Sequence, residues 1–172
     1  MKITAVFVFP WLITLFAAAQ ATPHAKREPL AAYLGHWETS GKFYETKFSK
    51  PHAVTSSLDC SWSPQGSYMT CEQVIHDDQG EHTQLTLYTP NPDYPDFTFY
   101  TFNTPGQKPW MGSLKIEGDT WTYLPPRDAA DKYPIFRTTN WIKDGKVTYK
   151  VEFAKEPGKW TTISERSSRR TK

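Results

Sequence analysis

The chain has 172 residues, 38% of them hydrophobic and 15% aromatic, with a formal charge of +2. That length suits one domain with one core. A charge so near zero excludes a strong electrostatic pull on nucleic acid or on anionic lipid, and the short basic run Arg166 to Lys172 is too local to change that.

The chain opens as an export leader. Lys2 is followed by an apolar run from Ile3 to Ala19 and by the small-residue pattern Ala19-Gln20-Ala21, so residues 1–21 are predicted to be a signal peptide cut after Ala21. Pro10 and the early cleavage pattern argue against a retained membrane span, and no later apolar run is long enough to cross a bilayer. A secreted or periplasmic protein is expected. Residues 22–28 are polar and read as a flexible segment. Pro29-Leu30-Ala31-Ala32-Tyr33-Leu34 then gives one or two helical turns, ended by Gly35.

Everything beyond reads as strand, with runs near 36–46, 53–62, 67–76, 82–89, 96–103, 110–116, 119–124, 135–142, 146–154 and 159–167. Turn residues separate nearly all of them, among them Pro64-Gln65-Gly66, Asp77-Asp78-Gln79-Gly80, Glu117-Gly118 and Lys143-Asp144-Gly145. Short strands joined in order by tight turns make an antiparallel meander. About ten of them leave edges that closure into a barrel removes. The expected fold is all-β, a single closed antiparallel meander barrel over residues 29–168 with a short N-terminal helix, followed by a basic tail at 169–172. Alternation puts one face of each strand toward the core: Leu85 and Leu87 against Gln84 and Thr86, and Val147, Tyr149, Val151 and Phe153 against Thr148, Lys150 and Glu152. The longest interruption, Pro125 to Tyr133, is a loop placed to cap an opening.

Cys60 and Cys71 are the only cysteines, and an exported chain with an even count is where a disulfide is expected. Folding the hairpin about Gln65 and Gly66 sets Cys60 against Cys71, with Ser63 and Tyr68 closing a four-residue loop. A catalytic pair is disfavoured, because the cysteines do not form C-x-x-C and no histidine is near.

Several stretches carry a resemblance. A short N-terminal helix, then Gly35-x-Trp37 entering the first strand of a closed antiparallel meander, is similar to the lipocalin-like calycin superfamily. More narrowly, L-x-x-Y-L-G-x-W at 30–37, C-S-W-S-P-Q-G-S-Y-M-T-C at 60–71, F-T-F-Y-T-F at 97–102, G-D-T-W-T-Y at 118–123 and K-W-T-T-I-S-E at 159–165 resemble a family of small bacterial barrel proteins of unassigned activity. The resemblance implies that Trp37 plugs the barrel base beneath a basic residue of the last strand. Arg166 is the first candidate for that residue, with Arg169 and Arg170 as competitors. Gly35 allows the sharp turn from helix into strand, and strict alternation sends His36 to solvent.

Candidate chemistry is sparse. His76 and His82 flank the acidic turn Asp77 to Glu81, but no third firm ligand is evident, and no metal site is assigned. A ten-stranded barrel relative, nitrobindin, holds haem through a histidine late in the chain. This chain has none after His82, so no cofactor is expected. Asp93 and Asp96 pair only within a proline-rich turn, and no G-x-S-x-G, H-E-x-x-H or phosphate loop occurs. What remains is an aromatic-rich wall. Tyr44, Phe97, Phe99, Trp110, Trp121 and Tyr149, with Arg137 and Thr139 as inward polar groups, are expected to line a cavity for a hydrophobic molecule with an anionic end. The function expected is an exported protein that binds such a ligand, without catalytic residues. The alternatives are an isomerase, cyclase or hydrolase using the same cavity, or a filled-barrel interaction protein of the cell envelope.

Overall fold

The computed structural model describes residues 28–91, 97–104, 106, 108–126 and 134–171. The leader, residues 22–27, Asp93, Asp96 and most of the loop from Pro125 to Tyr133 lie outside the described residues. A 3-10 helix, Glu28–Tyr33, precedes ten strands: β1 (Gly35–Phe43), β2 (His52–Trp62), β3 (Met69–Asp77), β4 (Gly80–Pro90), β5 (Phe97–Asn103), β6 (Trp110–Glu117), β7 (Thr120–Leu124), β8 (Ile135–Lys143), β9 (Lys146–Ala154) and β10 (Trp160–Thr171). Each strand pairs antiparallel with its sequence neighbours, and β1 pairs with β10, so the sheet closes into a barrel. Among the described residues no helix is long and apolar enough to cross a membrane.

The floor explains the L-G-x-W stretch. Gly35 has φ of 101°, a conformation that strains any L side chain, and it swings the chain from the 3-10 helix into β1. Trp37, two residues on, is buried at the narrow end beside Leu30, Tyr33 and Trp121, and Tyr33 stacks on Trp121 with ring centroids 4.7 Å apart. A helix end leaves carbonyls without partners, and here the partners are all present. Leu34 N–H donates to Ala31 O (3.2 Å), the Arg170 guanidinium to Ala32 O (2.6 Å) and the Trp37 indole N–H to Tyr33 O (2.8 Å). Arg170 also stacks over the Trp37 ring at 4.7 Å.

Arg170 is therefore the cation that covers the plug, and Arg166 is not. The register explains the change: Trp37 pairs with Arg170, whereas Arg166 pairs with Gly41, further along the same ladder and on the same inner face. The expected basic tail is also corrected, since β10 runs to Thr171 and holds Arg169 and Arg170 in the ladder. A register shift between Thr162 and Ser164 adds one residue, Ile163, which is buried.

Cys60 and Cys71 are bonded and directly paired, with Cα atoms 4.1 Å apart, and Ser63 N–H donates to Tyr68 O (2.9 Å) to close the loop. In β9, Val147 and Phe153 are buried as alternation predicts. In β4 the prediction is inverted. Thr86 and Tyr88 are buried on the inner face while Leu85 and Leu87 stand outside, paired with Phe102 and Tyr100. The registers with β3 and β5 fix the parity of β4, and an apolar strip on the outer wall is the result. Tyr100, Phe102 and Met111 extend it and are exposed.

Trp37→Ala should lower the unfolding free energy by about 3–5 kcal/mol, since it removes a fully buried indole and strands the Tyr33 carbonyl. Denaturant melts of the purified protein measure this, and a loss under about 1 kcal/mol would remove the indole from its role as plug. Thiol titration of the unfolded, unreduced protein should find no free sulfhydryl.

Candidate functional site

The barrel encloses a cavity of about 580 Å³ that extends from Tyr33 and Trp37 at the floor to Gln79, Glu81, Thr104 and Trp110 at the far rim. Its wall is built of alternate residues of the strands: Thr39 and Phe43 from β1, Gln73 and Ile75 from β3, Gln84, Thr86 and Tyr88 from β4, Phe99 and Thr101 from β5. Tyr123, Thr138, Asn140, Val147, Tyr149, Val151, Arg166 and Ser168 complete it. The interior is thus mixed, with aromatic faces set among hydroxyls and amides.

Most of those polar groups are paired across the wall. Thr39 Oγ1 lies 2.7 Å from Ser168 Oγ, Thr86 Oγ1 is 3.2 Å from Thr101 Oγ1, and the Gln73 amide donates to Ser56 Oγ at 2.7 Å. Deeper in, Tyr88 OH is 3.3 Å from Tyr123 OH, Tyr123 hydrogen-bonds Tyr33, and the Asn140 amide nitrogen donates to Tyr33 OH. Burial pushes the phenol pKa of Tyr88 up to about 12 and those of Tyr33 and Tyr123 well above the usual tyrosine value, with neighbouring phenols adding to the rise. All three stay neutral at physiological pH.

Two groups stand out in this wall. Asn140 is buried, and its Oδ1 has no hydrogen-bond partner. A buried amide oxygen without a donor costs about 1–3 kcal/mol, which a bound donor would recover. Arg166 is held by Nε donating to Ser164 Oγ (3.1 Å) and by stacking against Phe43 and Tyr149, at 4.8 and 5.6 Å, with no ion pair to a carboxylate among the described residues. Asn140, Tyr149, Arg166 and Gly41 form one row across β8, β9, β10 and β1. Gly41 makes the arginine's place possible: a Cβ there would come within 2.6 Å of Arg166 Cγ and 2.3 Å of Glu165 O.

Of the expected lining residues, Phe99, Trp110 and Tyr149 reach the cavity. Phe97 and Trp121 are buried but belong to the packed core rather than the cavity wall. Tyr44 lies past the end of β1, where its OH donates to Glu165 Oε2 (2.7 Å). Arg137 and Thr139 are on the outer face of β8, because Thr138 and Asn140 take the inner one. Arg137 stacks on Trp160 at 3.9 Å and donates to the buried Glu152 (2.9 Å), which Lys150 also pairs at 3.3 Å. Sequence reasoning missed Tyr33, Tyr88, Tyr123 and Asn140. Asparagine is depleted in strands, so Asn140 in the middle of β8 was the available signal.

His36 is half-exposed, 2.7 Å from Asp59 Oδ1 and 2.9 Å from Glu38 Oε1. The hydrogen bond to Asp59, then that to Glu38, raises its pKa above the usual histidine value. This is a surface ion-pair cluster, away from the cavity.

No protein-family model matches the sequence, and no curated protein matches it significantly. Solved structures do match in fold. The Rv2717c structure from M. tuberculosis has a TM-score of 0.60 at 12% identity, covering 86% of this chain and 98% of that one. The S-type phycobiliprotein lyase CPES from Guillardia theta has a TM-score of 0.59 at 12% identity, covering 85% and 92%. At that identity the likeness shows the fold alone: a lipocalin-like barrel.

The buried phenols set an alkaline limit. Their folded pKa values exceed the unfolded value of 10.0, so the stability they contribute is complete below pH 10 and is lost as pH rises through about 12 and beyond. Phenolate absorbance against pH should show these tyrosines ionising only as the barrel unfolds; ionisation near pH 10 with the fold intact would contradict their burial.

Proposed function

We propose that this is an exported small-molecule binding protein, which holds a flat or elongated, largely apolar ligand in the barrel with an anionic end at Arg166. The observation that carries the reading is a cavity of about 580 Å³ with an unpartnered amide oxygen, Asn140 Oδ1, in its buried wall. That volume falls in the range of small-molecule sites, and its aromatic faces with a few convergent polar groups match their usual make-up. Arg166 supplies a charge whose guanidinium is free to pair with a carboxylate or similar anion. The hydroxyl and amide groups widen the expectation beyond a purely hydrophobic molecule, toward one that also carries hydrogen-bonding groups.

Binding is favoured over acid–base catalysis by the direction of the tyrosine shifts. A catalytic acid or base works best with a pKa near the operating pH, and these phenols move the other way. Export rests on the leader at 1–21, and the disulfide between Cys60 and Cys71 fits an oxidising compartment. The phycobiliprotein lyase with the same fold supports a small molecule as the partner.

Dansyl-labelled undecanoic acid and its methyl ester test the proposal in a fluorescence titration. The acid should bind more tightly than the ester, and Arg166→Gln should weaken the acid about tenfold while leaving the ester unchanged, as expected for loss of a charged hydrogen bond. Equal binding of acid and ester would remove the anionic end. No binding of either probe, together with a bare protein mass in native mass spectrometry after gentle purification, would overturn the carrier reading.

A further inference from the structure

The sequence draws attention to His76 and His82 as a metal pair, and the structure separates them. Register places His76 opposite Glu81 and His82 opposite Ile75, so the two imidazoles lie on opposite faces of the hairpin. A different histidine takes the place of His76. His52, the first residue of β2, stands beside the β3–β4 turn, and its imidazole, the Asp77 carboxylate and the Asp78 carboxylate each place one ligand atom within 4.8 Å of the other two.

The histidine is prepared as a ligand. Its Nδ1 lies 2.9 Å from the Lys50 carbonyl, an acceptor, so Nδ1 carries the proton and Nε2 presents its lone pair. Metal-binding histidines are commonly fixed in this way by a hydrogen bond from the other ring nitrogen. The ring is also clamped, stacked on Phe43 at 4.4 Å with 20° between planes. Its Nε2 is buried and has no hydrogen-bond partner; Asp78 Oδ1, at 3.5 Å, lacks hydrogen-bond geometry. Asp77 is likewise oriented, with Gln79 N–H donating to its Oδ1 at 2.9 Å, and its side chain is only 12% exposed. His82 Nε2 flanks the trio, 3.7 Å from Asp77 Oδ2.

We propose that this rim site binds one divalent transition-metal ion, Zn²⁺ foremost, through His52 Nε2 and the carboxylates of Asp77 and Asp78. The chemistry of the donors selects the ion: imidazole nitrogen with carboxylate oxygen suits Zn²⁺ and its neighbours, whereas Ca²⁺ and Mg²⁺ take all-oxygen sets. Tetrahedral Zn²⁺ at about 2.0–2.2 Å from its ligands needs ligand atoms about 3.3 Å apart, a contraction that small rotations of the two aspartates supply. Asp77 and His82 also line the cavity, so an ion here stands at its mouth, joining β2 to the β3–β4 turn.

The test uses the tag-free mature protein after chelator treatment and dialysis, titrated with ZnCl2 by calorimetry and with CoCl2 by visible absorption. One ion per chain should bind, with the absorption of four- or five-coordinate cobalt. Changing groups that merely orient a ligand weakens metal binding about 10- to 100-fold, so His52→Ala and Asp78→Asn should each cost at least about tenfold. Asp78→Asn is near-isosteric at a half-exposed position, which keeps the test valid should His52→Ala fail to fold. His76→Ala on the outer face should bind as the parent does. Absence of saturable binding, binding indifferent to Asp78→Asn, or loss on His76→Ala would each overturn the site. Measuring fluorescent-probe binding in parallel keeps this result distinct from the ligand proposal, since the metal site stands without it.

Discussion

The barrel depends on the contact between Trp37 and Arg170. A 3-10 helix of six residues has no stability of its own. It holds because the indole N–H and the guanidinium satisfy its last carbonyls while the indole fills the narrow end. The same pair joins the first strand to the last. One aromatic residue therefore closes the floor, caps a helix and locks the seam, and the cavity extends from it toward the opposite rim.

A sealed floor raises the stakes for every polar group above it. In a low-dielectric interior an unpaired hydroxyl or amide is costly, and the wall answers with cross-strand pairs: Thr39 with Ser168, Thr86 with Thr101, Ser56 with Gln73, and the three phenols with Asn140. Against that background of satisfied partners, the open oxygen of Asn140 and the unneutralised charge of Arg166 are departures. Departures of this kind concentrate where a protein meets its ligand. At the rim, His52 Nε2 is a third such atom, built from different elements.

Local signals made much of the fold legible in the sequence. The hairpin at Ser63 to Tyr68 and its disulfide follow from turn chemistry and counting, and the Gly35 and Trp37 spacing follows from a chain that must turn and then plug. The site was harder to read, because which face of a strand points inward is a nonlocal fact set by register. In β9 the apolar face is the inner one; in β4 the polar face is, and the leucines lie outside. The same parity reversal moved Arg137 and Thr139 out and brought Thr138 and Asn140 in. The extra residue at Ile163 shifts parity within β10, so its upper and lower halves cannot be read with one alternation. His52 shows the remaining difficulty: it is 25 and 26 residues from the aspartates it approaches, and only the pairing of β2 with β3 brings it there.

The seam between β1 and β10 has a consequence for biogenesis. It joins the two ends of the ladder, residues 35–43 to 164–171, so the largest loop in the protein closes last in sequence. Contacts of that span are slow to form, because the entropy of the intervening chain must be given up first. Until Arg170 is available, a growing chain has hairpins but no ring, and Trp37 has no lid. The protein thus stays an open ladder of hairpins for as long as it lacks β10, and ring closure is the step that waits on that strand.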